Sequence, residues 1–197
     1  MMGPIPADAL AAMLPVIDEF ERLGVPYYIG GSVASSLCGV PRSTLDVDLV
    51  ADLQPAHVDR LVAALRATYY IDARMIQDAI RRKSCFNVIH LATSYKVDVF
   101  VLKDRGYDRA SMSRRCEETL WDEAKSYRAF RSSAEDILLS KLEWYRLGDE
   151  ISERQWTDVL GVMKFQAGSL DRAYLEKWAA ELRVADLLER AWKSIGK

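Results

Sequence analysis

Apolar residues recur at three- and four-residue intervals through Leu10, Met13, Leu14, Ile17, Phe20 and Leu23, the spacing of one stripe on a helix. A helix over residues 8 to 23 is predicted, kinked at Pro15 and closed by Gly24 in a left-handed conformation. Val25 to Ile29 then reads as a short strand running into Gly30-Gly31. Ser32 is the expected N-cap of a short helix through Val33, Leu37 and Cys38, which Gly39 and Pro41 close. From Thr44 to Ala51 the period changes to two, with Leu45, Val47 and Leu49 alternating with Asp46, Asp48 and Val50. That alternation predicts a strand with one wet face.

Pro55 to Thr68 returns to helical spacing through Val58, Leu61, Val62 and Leu65, and a further short helix is expected from about Arg74 to Arg82. Cys85 to His90 and Lys96 to Val101 are rich in β-branched and aromatic residues, as strands require. The polar link Ala92-Thr93-Ser94 reverses the chain between them, so the pair should be antiparallel. From Ser133 onward the pattern is helical, with Ile137, Leu138, Lys141, Leu142 and Tyr145 on one surface and Trp156, Val159, Leu160 and Met163 on another. Two more helices are expected between Leu170 and Trp192. No repeat and no Pro/Gly-rich linker separates the halves, so the helical part is expected to pack closely on the sheet.

Composition narrows the class without naming it. A chain of 197 residues, 50% apolar and 28% charged, can bury one full core or a compact domain with a smaller helical partner. No basic cluster precedes an apolar run at Met1 to Pro6, and no stretch of about 18 uncharged apolar residues occurs. The expectation is a cytoplasmic protein with no membrane partner. Cys38, Cys85 and Cys116 are odd in number and far apart, which suits small buried hydrophobes better than a disulfide framework or a metal site. The net charge of -2 argues against a constitutive nucleic-acid coat. Arg81-Arg82-Lys83 and Arg105, Arg109, Arg114 and Arg115 are candidates for a basic patch. Asp104, Asp108, Glu117 and Glu118 are interleaved with the second group, which favours a solvated mixed-charge surface.

The candidate chemistry follows from strand geometry. Asp46 and Asp48 lie two apart, so they share a face and stand roughly 6.5 to 7 Å from each other along the strand. Their oxygens suit a magnesium ion, which binds through a few carboxylates, water and substrate phosphates. Asp98 interrupts the apolar strand Lys96 to Val101 and is the natural third carboxylate, as a general base or a further ligand. Gly30-Gly31-Ser32, at the start of a helix, offers backbone N–H groups to a phosphate. Each signal alone is equally an ordinary turn or the wet face of a strand; their order and spacing make the combination informative.

That combination resembles the nucleotidyltransferase superfamily with the DNA polymerase beta-like core, and is similar to its minimal and AbiEii-like members. The resemblance rests on Ile29-Gly30-Gly31-Ser32, Asp46-Val47-Asp48 and Val97-Asp98-Val99, with Arg42 and Thr44 before the paired acids. In the helical half it extends to Ser133 through Lys141 and Arg154 through Val159. It implies an α+β fold, a mixed sheet flanked by helices and followed by a helical bundle. It implies a catalytic domain over residues 1–131 and a helical domain over 132–197 packed on it. Gly30, Gly31, Ser32, Arg42, Thr44 and Lys141 would then hold a nucleoside triphosphate. Asp46, Asp48 and Asp98 would be the catalytic acids and the ligands of Mg2+ or Mn2+, with Asp158 supporting Lys141. The acceptor would be a hydroxyl on RNA, protein or a small molecule, and the toxin of a toxin–antitoxin pair, with a cognate antitoxin as partner, is within its range. Two alternatives stay open: an inactive nucleotide- or partner-binding protein of this fold, and a sugar-nucleotide glycosyltransferase with paired acids. Only 45 residues precede Asp46, fewer than the nucleotide-binding domain the second alternative usually needs.

Overall fold

A computed structural model describes residues 5–39, 44, 46–121 and 126–196. Helix α1 (Ala7–Leu23) runs through Pro15 and buries Leu10, Met13, Ile17 and Phe20. Gly24, at φ 67°, ends it; its N–H donates to the Glu21 carbonyl and the next N–H, of Val25, to Phe20. The order continues with β1 (Tyr27–Ile29), α2 (Gly31–Leu37), β2 (Asp46–Ala51), α3 (Val58–Leu65) and β3 (Tyr69–Tyr70). It then runs α4 (Ala73–Arg82), β4 (Cys85–His90), β5 (Lys96–Val101), α5 (Gly106–Ser113), β6 (Cys116–Trp121) and β7 (Ser126–Arg131). Four helices close the chain: α6 (Ala134–Leu147), α7 (Glu153–Phe165), α8 (Arg172–Glu181) and α9 (Ala185–Ser194).

The strands form one mixed sheet in the order β3-β4-β5-β2-β1-β7-β6. Strands β2 and β5 are parallel, in register from Asp46 with Lys96 to Ala51 with Val101. Strand β4 is antiparallel to β5, β1 is antiparallel to β2, and β1 and β7 are parallel. The fold is therefore α+β with a mixed sheet flanked by helices. Alternation in β2 and β5 sends Val47, Leu49, Ala51, Val97, Val99 and Val101 into a core shared with α1, α3 and α4. The opposite face carries Asp46, Asp48, Val50, Lys96, Asp98 and Phe100, all half-buried.

A second core joins the last four helices through Leu138, Leu142, Val159, Met163, Leu175, Trp178 and Leu188. Ala34 of α2, Cys38 at its C-terminal cap and Tyr107 of α5 belong to this cluster, so the helices rest on the acidic side of the sheet. Side-chain caps start three of them: Ser133 accepts from the Asp136 N–H, Ser152 from Gln155 and Asp171 from Tyr174.

Two expectations need correction. Ser32 is not the N-cap of α2, because the helix starts at Gly31 with Gly30 in the capping position; Ser32 lies inside it and is buried. Of the cysteines only Cys38 is buried, whereas Cys85 is exposed and Cys116 half-buried, since β4 and β6 turn these positions away from the cores. The charged stretch after Leu102, to which the sequence pattern assigned no elements, forms α5 and the antiparallel pair β6–β7.

Candidate active site

The glycine turn and the acidic strand meet because β1 and β2 are neighbours. The Gly30 N–H extends their ladder by donating to the Asp48 carbonyl at 2.8 Å. Gly31 then adopts φ +54°, and a Cβ at this position would lie 1.7 Å from Asp48 Oδ2. Glycine is required twice over, by the left-handed backbone and by the carboxylate seated against its Cα. Ahead of β2, the buried Thr44 hydroxyl donates to Asp46 Oδ1 at 2.8 Å, and the Tyr95 hydroxyl donates to the Thr44 carbonyl.

Asp98 lies opposite Asp48 in the parallel register, on the same face. Its Oδ2 is held by Lys96 Nζ at 2.6 Å. Burial, with the Asp46 and Asp98 charges beside it, pushes the Asp48 carboxyl up to about 6, against a partial offset from Lys141 and Lys96. Three negative groups thus gather on adjacent strands at the cost of mutual repulsion. Among the described residues no three His, Cys, Asp or Glu side chains stand close enough to hold one ion, and Asp98 is paired with Lys96. Four carboxylates among the described residues line the cleft, of which Asp108 and Glu143 are paired with Arg105, leaving Asp46 and Asp48 on the strand beside the glycine turn. Hard oxygen ligands of this kind suit magnesium or manganese completed by substrate and water.

Helix α6 supplies the opposite wall. Lys141, 5% exposed, reaches Asp158 Oδ2 of α7 at 2.7 Å and Gln155 Oε1 at 3.3 Å. Between helix and sheet lies a cleft of about 470 Å³ lined by Gly30, Gly31, Ser32, Asp46, Asp48 and Lys141. Six of the expected site residues therefore share one cavity. Thr44 and Asp158 sit behind Asp46 and Lys141, Asp98 stands beside the cleft without lining it, and Arg42 lies outside the described residues.

Sequence reasoning missed Phe100, Ser140, Trp144 and Arg154 in the remaining wall, and it named Arg105 only within a candidate basic patch, without its place in the cleft. Trp144 was findable, because it lies three residues beyond Lys141 and so on the same helical face. The place of Arg105 was not. Its guanidinium bridges Asp108 of α5 and Glu143 of α6, partners 38 positions apart in the second case. The candidate basic patches are largely neutralised: Arg81 and Arg82 pair with Asp78, Lys83 and Arg109 with Asp104, and Arg114 with Glu135.

A mixed sheet overlaid by a helical bundle, with a glycine turn beside paired acids, is an architecture shared with a solved nucleotidyltransferase-like structure. Solved structures carry the same architecture at low sequence identity. The solution structure of the antibiotic-resistance factor ANT(2″)-Ia superposes with a TM-score of 0.56 at 16% identity, covering 92% of this chain and 94% of that one. A crystal structure of the same factor in complex with adenylyl-2″-tobramycin gives 0.51 at 14% identity, with 88% and 96% covered. An antigenic nucleotidyltransferase-like protein from Paracoccidioides brasiliensis gives 0.53 at 17% identity, with 97% and 95% covered. No protein-family model matches the sequence, and no curated protein matches it.

Proposed function

We propose that the protein is a metal-dependent nucleotidyltransferase. The observation that carries this reading is the convergence of Gly31, Asp46, Asp48 and Lys141 on one cleft. An acceptor hydroxyl attacks the α-phosphate of a nucleoside triphosphate in line, the bond to the bridging oxygen breaks, and pyrophosphate leaves. The N–H groups of Gly31 and Ser32 hold the triphosphate, Gly30 fixes the turn through its bond to the Asp48 carbonyl, and Lys141 offsets the phosphate charge. Asp46 and Asp48 would hold Mg2+ or Mn2+, which when bound neutralises charge on the phosphate oxygens. Thr44 orients Asp46, Asp158 orients Lys141, and Arg42 is carried over as a nucleotide contact. Asp98, released from Lys96, takes the acceptor proton. In this reading residues 1–131 are the catalytic unit and 132–197 the helical unit that brings Lys141 to it.

A small-molecule acceptor is favoured. The cleft is of ordinary ligand size, its charged walls are of both signs, and the basic residues that would track a polynucleotide are largely paired within the protein. ANT(2″)-Ia, which shares the fold, is seen with adenylyl-2″-tobramycin, in keeping with such an acceptor.

The test is incubation with magnesium, each labelled nucleoside triphosphate and a cell extract, followed by separation of small molecules, RNA and protein. Label is expected in the small-molecule fraction. Label in RNA or protein would move the acceptor to a polymer and reopen the toxin reading with its cognate antitoxin; no label from any nucleotide favours an inactive binding protein. Asp46→Ala and Asp98→Asn should each abolish transfer while circular dichroism stays native, and full activity in either would remove that residue from the mechanism.

A further inference from the structure

The cleft has an apolar end that the proposed chemistry leaves unused. Two residues beyond Asp48 and Asp98 along their strands, on the same face, stand Val50 and Phe100, paired in register. On the facing helix, Trp144 follows Lys141 by three residues, and its ring lies 6.1 Å from that of Phe100 at an interplanar angle of 67°. Trp144 is 51% exposed and lines the cleft together with Phe100 and Leu147. A large aromatic left half in solvent at a cavity wall, on a helix that buries Leu138, Leu142 and Tyr145, is the informative kind of exposure.

Helix and sheet thus present matching levels. The first holds Gly31, Asp48 and Lys141, and the second holds Val50, Phe100 and Trp144. The step between them is about 7 Å along the strand and about 4.5 Å along the helix. A nucleoside triphosphate has the same order, with phosphates at one end, a flat ring at the other and one sugar between. We infer that Trp144 and Phe100 form a stacking wall for the nucleobase, an inference that rests on the nucleotidyltransferase reading above. The wall presents ring faces and edges rather than a set of hydrogen-bonding groups, so it holds purines of either kind, as aromatic platforms do.

The experiment measures binding by titration calorimetry with magnesium present, using the α,β-methylene analogues of ATP and GTP, and inorganic tripolyphosphate. Trp144→Ala should weaken both nucleotide analogues by about tenfold or more and leave tripolyphosphate unchanged. Trp144→Phe should restore most of the loss, and the helix should tolerate either residue at this half-exposed position. Unchanged nucleotide affinity in Trp144→Ala would overturn the inference, including the case where only the KM of an acceptor rises, which would give the wall to the acceptor's ring. Equal losses for tripolyphosphate and the analogues would also overturn it, as a general distortion of α6. If the wild type binds neither the analogues nor tripolyphosphate, the nucleotidyltransferase reading fails and takes this inference with it.

Discussion

Gly31 and Asp48 are the tightest joint in the site, and each makes a prediction at the residue scale. Gly31→Ala must relieve both a left-handed φ of +54° and a Cβ placed 1.7 Å from Asp48 Oδ2. The expected cost is about 2 to 4 kcal/mol of stability with loss of nucleotide binding, read by urea denaturation and calorimetry; a neutral substitution would show that the carboxylate is not seated there. Asp48 itself trades stability for its position. Its carboxyl rises from 3.8 to about 6 in the folded protein, so the native state binds this proton more tightly than the unfolded chain. The contribution is neutral below about pH 4, turns unfavourable between about pH 4 and 6 as the unfolded chain gives up its proton first, and levels off above 6 at about 3 kcal/mol. Asp48→Asn should therefore stabilise the metal-free protein at pH 8 by about 1 to 3 kcal/mol, and the gain should vanish near pH 4. Equal gains at both pH values would assign the effect to packing rather than charge.

Among the elements, α6 and α7 hold Lys141 through a buried ion pair with Asp158, the two side chains only 6% and 4% exposed. Removing one charge of such a pair costs more than replacing both. Lys141→Met should lose about 3 kcal/mol in denaturant unfolding, and Lys141→Met with Asp158→Leu should recover part of it without recovering nucleotide binding. A double variant that binds nucleotide normally would make the lysine purely structural. The elements also explain what the sequence disclosed. Strand β2 was legible from its strict apolar alternation, and β4 and β5 from their β-branched and aromatic residues. Strands β6 and β7 were not, since only Leu120 and Ala129 are fully buried in them. Their charges instead pair across the ladder, Glu117 with Arg128 and Glu118 with Arg131. A mixed-charge run reads as solvated surface until its partner strand is known. The same limit applies to the site: glycine turn, acids and Lys141 carry local patterns, whereas Arg105 and Phe100 gain their places only from the helix packed over the sheet.

At the scale of the molecule, the cleft lies between two cores, so a ligand that bridges sheet and α6 stabilises both. A magnesium–nucleotide complex at about 100 times its dissociation constant should add about 2.7 kcal/mol and raise Tm by roughly 5 to 10 °C. Thermal scans with magnesium alone, nucleotide alone and both together would check this, and a shift no larger with both than with either would argue against joint binding. The strand order adds a matter of timing. Ile29 of β1 pairs with Arg131 of β7, and the Ser132 N–H donates to the Ile29 carbonyl just before α6 begins. The strand that launches the glycine turn is thus completed by a segment made about a hundred residues later, and loop closure over that distance is slow. During synthesis the chain carries its acids long before it has Lys141 or the aromatic wall, and until then β1 stands as an open edge. A ribosome-bound chain ending before β7 should be sensitive to protease at β1 and inert toward nucleotide, so that activity arrives in one late event.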